Sequence, residues 1–141
     1  MDVVFVCRQA VEDSLLANIA AAMEAKEAGL DVGVLFTGEA LWALAEESYR
    51  WSPLFQGRRI RSRISKNATG MGIEIGHPKD ARWTDRDRLL ESAVDRGVRL
   101  LACPLWSSFL GIQDDIPDRL TLPGRDEWLE ELQRAKVIGG F

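Results

Sequence analysis

Two cysteines, one histidine and one tyrosine are all that 141 residues contain of those types. Two cysteines, Cys7 and Cys103, cannot build a disulfide framework, and with His77 they make no zinc-ligand spacing. A Ser-His-Asp triad would have to use His77, which stands next to Pro78 in a predicted loop; solvation there is its simplest role. No apolar run approaches the roughly 20 residues of a membrane span. Met1-Asp2 runs straight into a strand-like segment, so a secretory leader is not expected. No Gly-x-Gly-x-x-Gly follows the first strand, which ends Cys7-Arg8-Gln9, and no Walker loop is present. A net charge of -4 and a pI near 5.1 argue against a nucleic-acid binder. The expectation is a cytoplasmic protein with reduced thiols, no metal, no cofactor, and neither membrane nor nucleic acid as partner.

What is there is the composition of one ordinary globular domain, 46% hydrophobic and 28% charged. Val3 to Val6 is a β-branched run, read as a strand buried on both faces. A helix follows, with Asp13 or Ser14 as its cap, Leu15, Ile19 and Met23 on one stripe, and Gly29 as a left-handed terminator. Asp31 to Phe36 is a second strand, completing a βαβ unit. Thr37-Gly38 turns into a short helix carrying Leu41, Trp42 and Leu44. Gln56 to Ala68 has helical spacing (Ile60, Ile64, Ala68), and Ile73 to Ile75 is a candidate strand. Asp85 to Arg96 is a helix capped by Gly97, and Val98 to Ala102 is a strand. Pro104 to Leu110 is a short helix ended by Gly111, and Arg119 to Leu122 is a possible short strand. A helix with Trp128, Leu129 and Leu132, then a strand from Lys136 to Gly140, complete the pattern. Alternating strands and helices predict an α/β fold: a three-layer α/β/α sandwich in one domain, on a mostly parallel sheet of about five strands.

Cys103 is the most informative residue. It falls where a strand gives way to a helix, and Pro104 suits the first helical position. A helix N-terminus favours an anion, so a thiol there ionises more readily and becomes a candidate nucleophile. The alternative is a packed cysteine acting as a small hydrophobe. Arg8, Thr37, Gly38, Pro104 and Trp106 belong to the same predicted sheet edge and are the candidate pocket residues. Cys7 also ends a strand. If the Cys103 strand neighbours the first strand, as in a flavodoxin-like order, Cys7 is a second thiol within reach. Arg58, Arg59, Arg61 and Arg63 make a basic helix with no acid between Glu47 and Glu74. They are candidates for binding an acidic partner, or else a solvated face. Of the five tryptophans, Trp42 and Trp128 fit core stripes, whereas Trp51, Trp83 and Trp106 sit near element ends, where pockets form.

Three stretches together resemble the DsrE/DsrF-like family of small sulfur-handling proteins. They are Val3-Val4-Phe5-Val6 through Thr37, Gly97 through Cys103 with the helix ending Leu110-Gly111-Ile112, and Trp128 through Ile138. The resemblance implies a three-layer α/β/α fold, usually oligomeric. It also implies a sulfur carrier, or sulfurtransferase-like protein, in which Cys103 accepts sulfur as a persulfide and exchanges it with a protein donor or acceptor. The basic stretch from Arg50 to Lys66 is outside that pattern. The competing expectation is a non-enzymatic scaffold, or a small-ligand module, for nucleotide or flavin among other ligands, on the same fold.

Overall fold

The computed structural model describes residues 1–77 and 80–141, with the backbone alone for 77 and 80–83. Four strands, β1 (Val3–Cys7), β2 (Val32–Phe36), β5 (Arg99–Ala102) and β6 (Lys136–Ile138), form one sheet in the order β5-β2-β1-β6. Every pairing is parallel. Helix α1 (Glu12–Glu27) links β1 to β2. Between β2 and β5 lie α2 (Gly38–Glu46), a 3-10 turn (Pro53–Phe55), α3 (Arg58–Gly70) and α4 (Arg86–Asp95). An antiparallel hairpin of β3 (Gly76–His77) and β4 (Asp80–Thr84) falls in the same connection. Helices α5 (Pro104–Leu110) and α6 (Arg125–Arg134) precede β6.

Alternation along the strands divides the core. Val3, Phe5, Cys7, Val34 and Phe36 face one side, where Leu15, Ile19 and Met23 of α1 and Leu89 and Ala93 of α4 cover them. Val4, Leu35, Leu101 and Cys103 face the other side, under Trp128 and Leu132 of α6. Helices on both faces give the expected layered α/β sandwich and explain why the strands read as unbroken apolar runs.

Several expectations need correction. The sheet has four strands rather than five. The predicted strand at Arg119 to Leu122 is reduced to one parallel bridge, Leu101 with Thr121, held by bonds of 2.9 and 2.8 Å. Ile73 and Ile75 are buried but form no strand, and the hairpin after them was not expected. The order is not flavodoxin-like: β5 pairs with β2, and β2 separates it from β1. Helix α1 starts at Glu12 with Val11 as its cap residue. Asp13 does not cap it, because its carboxylate accepts from Ser52 N–H and Oγ at 2.9 and 2.8 Å. Trp42 is 41% exposed, since it lies off the buried Ala40–Leu41–Ala43 face of α2.

Other boundaries hold. Gly29 follows α1 at φ 89°, Gly97 follows α4 at 88° and Gly111 follows α5 at 68°, the left-handed conformation that favours glycine. Asp85 caps α4, accepting from Arg88 N–H at 3.0 Å.

Candidate functional site

Cys103 lies where the sequence places it, at the switch from β5 to α5. Cys103 is the cap residue of α5, with extended backbone (φ -63°, ψ 121°), and Pro104 is the first helical residue. The three strand ends are laced together: Thr37 N–H donates to Cys7 O at 3.1 Å, and Cys103 N–H donates to Phe36 O at 3.0 Å. Arg8 O accepts from Ala40 N–H at 3.1 Å, and a side chain added at Gly38 would meet Arg8 Cγ at 3.5 Å. Gly38 itself has φ 55°. Arg8 is exposed and Thr37 half-buried, while Gly38 and Pro104 are buried. Trp106 is 39% exposed and packs edge-on against Phe109, with ring centroids 5.5 Å apart. These residues share an edge, yet none of them lines either of the two described cavities.

The thiols are free, and each is packed. Cys103 is 3% exposed, among Val4, Leu35 and Leu101. Cys7 is 0% exposed on the opposite face of the sheet. Two strand spacings separate them, about 10 Å, which exceeds the ~7 Å limit for a disulfide between Cα atoms. The expected approach of Cys7 to Cys103 therefore does not occur, because β2 stands between their strands. Burial pushes the Cys7 thiol up to about 11, partly offset by hydrogen bonding with Ser14 and Tyr49.

A larger concavity lies beside the N-terminus of α1, which follows β1 directly. It is a cleft of about 1150 Å³. Its walls come from Glu12 of α1, the stretch Tyr49-Arg50-Trp51, Arg61 of α3, Asp85 and Arg86 at the start of α4, and the loop Asp114 to Leu120. These pieces are tied to one another. Glu12 N–H donates to Arg50 O at 2.9 Å, extending the Val11–Arg50 bridge. Arg86 Nη1 donates to Glu12 Oε1 at 3.2 Å, and the Arg86 guanidinium lies 5.7 Å from the Tyr49 ring centroid. Tyr49 OH donates to Ala40 O at 3.0 Å. Burial holds Tyr49 above its ordinary range, with Cys7 adding to the effect.

Glu12 is the residue that reading the sequence missed. It is 6% exposed, its Oε1 is held by Arg86, and its Oε2 is buried without a hydrogen-bond partner among the described residues. Burial raises its carboxyl above the usual carboxylate range, and Arg86, with a smaller contribution from the Thr84 hydroxyl, pulls it partly back. An acid in the first turn of a helix ordinarily reads as dipole complement, and that masked it.

Of the basic helix, Arg61 reaches the cleft, while Arg58, Arg59 and Arg63 are exposed on α3. Trp51 is 8% exposed, packs in the larger core and also lines the cleft. His77 belongs to β3 rather than a loop. Its side chain, and that of Trp83, lie outside the described residues. Among the described residues, no group of three or more His, Cys, Asp or Glu is placed to hold a metal ion, and no helix is long and apolar enough to cross a membrane. No known protein-family model matches the chain, and no curated protein matches it.

Proposed function

We propose that this protein is a small-ligand-binding α/β domain whose ligand occupies the cleft between α1, α3, α4 and the loop Asp114 to Leu120. One observation carries the reading: a cleft of about 1150 Å³ is lined by the buried side chains of Glu12, Tyr49 and Trp51 among half-buried and exposed charged groups. Open parallel sheets bind ligands beside the carboxyl ends of their strands, and the start of α1 follows such an end. The neighbouring thiol, Cys7, takes no part, since its burial keeps it protonated at neutral pH.

The test is ligand-detected and indole N–H NMR with a panel of nucleotides, amino acids, amines and carboxylates. Trp51 lines the cleft and Trp106 lines neither cavity, so the pair reports location. A binder should shift Trp51, leave Trp106 in place, and raise the melting temperature by mass action. A panel that never moves Trp51 refutes the reading.

A second reading is sulfur carriage at Cys103, as the family resemblance implies. What favours it is the place of that thiol, at the cap of α5 with no partner cysteine in reach. Reaction with thiosulfate would form a bond between Cys103 Sγ and the sulfane sulfur, and sulfite would leave with the electron pair of the broken S–S bond. At 3% exposure under α6, the thiol must be uncovered before a donor can reach it. Mass spectrometry after thiosulfate treatment decides it. A gain of one sulfur atom that Cys103→Ser abolishes supports carriage, and an unmodified wild-type protein refutes it.

A further inference from the structure

Glu12 has one oxygen committed and one uncommitted. Arg86 occupies Oε1 at 3.2 Å, and Oε2 is buried without a hydrogen-bond partner among the described residues, with Thr84, whose hydroxyl also favours the carboxylate, beside it on the wall of the cleft. A carboxylate oxygen accepts hydrogen bonds and donates none, so the partner that Oε2 suits must bring an N–H or O–H. The carboxyl is also fixed in direction. Its own N–H is tied to Arg50 O at 2.9 Å, and the adjacent Asp13 is held by Ser52.

The charge around it selects among donors. Seven carboxylate side chains line the cleft against four guanidinium groups, a surplus of three. Three of the seven are committed: Glu12 to Arg86, Asp87 to Arg119 at 3.3 Å, and Asp85 to capping α4. Among the described residues, Asp114, Asp115 and Asp118 form no ion pair. These three belong to the acidic loop after α5. A concave site with a surplus of one sign of charge concentrates the opposite sign.

We infer that the cleft takes a small organic cation bearing N–H donors, an amine or a guanidine, with Glu12 Oε2 accepting from it and the Asp114–Asp118 loop supplying the negative field. The inference rests on the cleft being the ligand site and names the ligand's class. Glu12 orients the donor group, and the loop acts at longer range.

The experiment is isothermal titration at low salt with four probes: butylguanidine, 1,4-diaminobutane, tetramethylammonium and inorganic phosphate. Butylguanidine or 1,4-diaminobutane should bind saturably and shift Trp51. Tetramethylammonium carries the single charge of butylguanidine without an N–H donor and should bind at least tenfold more weakly than butylguanidine. Glu12→Gln should weaken the donor-bearing cations by tenfold or more. Asp114→Asn with Asp115→Asn should weaken every cation severalfold. The tetramethylammonium comparison is made on the wild-type protein, so the role of Oε2 is tested even where Glu12→Gln folds poorly. Equal affinity for tetramethylammonium and butylguanidine overturns the role of Oε2. Binding of phosphate with no binding of either amine or guanidine overturns the inference and leaves the cleft as a ligand site. Absence of binding by all four probes overturns the inference; if the wider panel also leaves Trp51 unmoved, the cleft reading falls with it.

Discussion

Removal of the Cys7 thiol should make the protein less stable at neutral pH and more stable in alkali. Cys7 closes β1 at 0% exposure, beside Ser14 and Tyr49. Its thiolate would be a buried charge, so burial raises its pKa from 9.0 to about 11. The unfolded chain gives up this proton near 9, whereas the folded chain keeps it until about 11. The folded state therefore binds more protons across that window. Stability contributed by the protonated thiol is complete below the unfolded value and is lost as pH rises through the folded one. At ~1.36 kcal/mol per pH unit the loss is roughly 3 kcal/mol. Cys7→Ala removes the thiol and leaves a small cavity, costing about 1–2 kcal/mol near neutral pH. The two effects oppose each other, so the stability curves should cross, with the variant ahead above the window by about 1–2 kcal/mol. Tyr49 also titrates late in the folded state and lowers alkaline stability in both proteins, so only the difference between them isolates Cys7. Removing the thiol also relieves part of the Tyr49 elevation, which acts in the same direction. The assay is urea denaturation followed by circular dichroism under reducing conditions, at a series of pH values from neutral to about 11. A gap between the two proteins that stays constant with pH would refute the reasoning.

Further outcomes follow from single residues. Leu15 is 0% exposed beneath the sheet, so Leu15→Ala should cost about 2–5 kcal/mol in chemical denaturation. Asp85→Ala removes the cap of α4 and should cost about 1 kcal/mol, with the Trp51 environment preserved. Oxidant should produce no Cys7–Cys103 disulfide in the folded monomer, because β2 lies between their strands; non-reducing mass analysis checks this. Reversing the exposed Arg58, Arg59 and Arg63 to glutamate should change stability by less than about 0.5 kcal/mol each, as expected of solvated positions.

Much of the fold was legible because its signals are local. Val3 to Val6 reads as a strand buried on both faces and Asp31 to Phe36 as a second strand, and the structure pairs the two as β1 and β2 in the core of the sheet. Gly29, Gly97 and Gly111 marked helix ends because a positive φ is costly for other residues. The cap of α1 was misread because Asp13 and Ser14 are good capping types, whereas the carboxylate of Asp13 is drawn to Ser52, 39 residues away. The hairpin of β3 and β4 was invisible since so short a pairing leaves no periodicity.

The candidate site divides along the same line. Local sequence was sufficient to put Cys103 at a strand-to-helix switch, with Pro104 opening α5. It could not say that the thiol points into the smaller core under α6, or that Cys7 faces the other side of the sheet. Facing and strand order depend on which elements pair, and pairing is a property of the whole chain. The cleft is the extreme case. Glu12, Tyr49, Arg61, Arg86 and Asp115 lie up to about a hundred residues apart in the sequence, and only the packing of α1, α3 and α4 brings them to one surface. Sequence by itself determined most of the helices and sheet strands, the glycine ends of α1, α4 and α5, and the class of fold, because those follow from periodicity within a few turns of chain. Tertiary structure alone decided which polar groups were buried together. Burial is a collective outcome, and it turned an ordinary first-turn acid, Glu12, into the fixed carboxyl of a cleft.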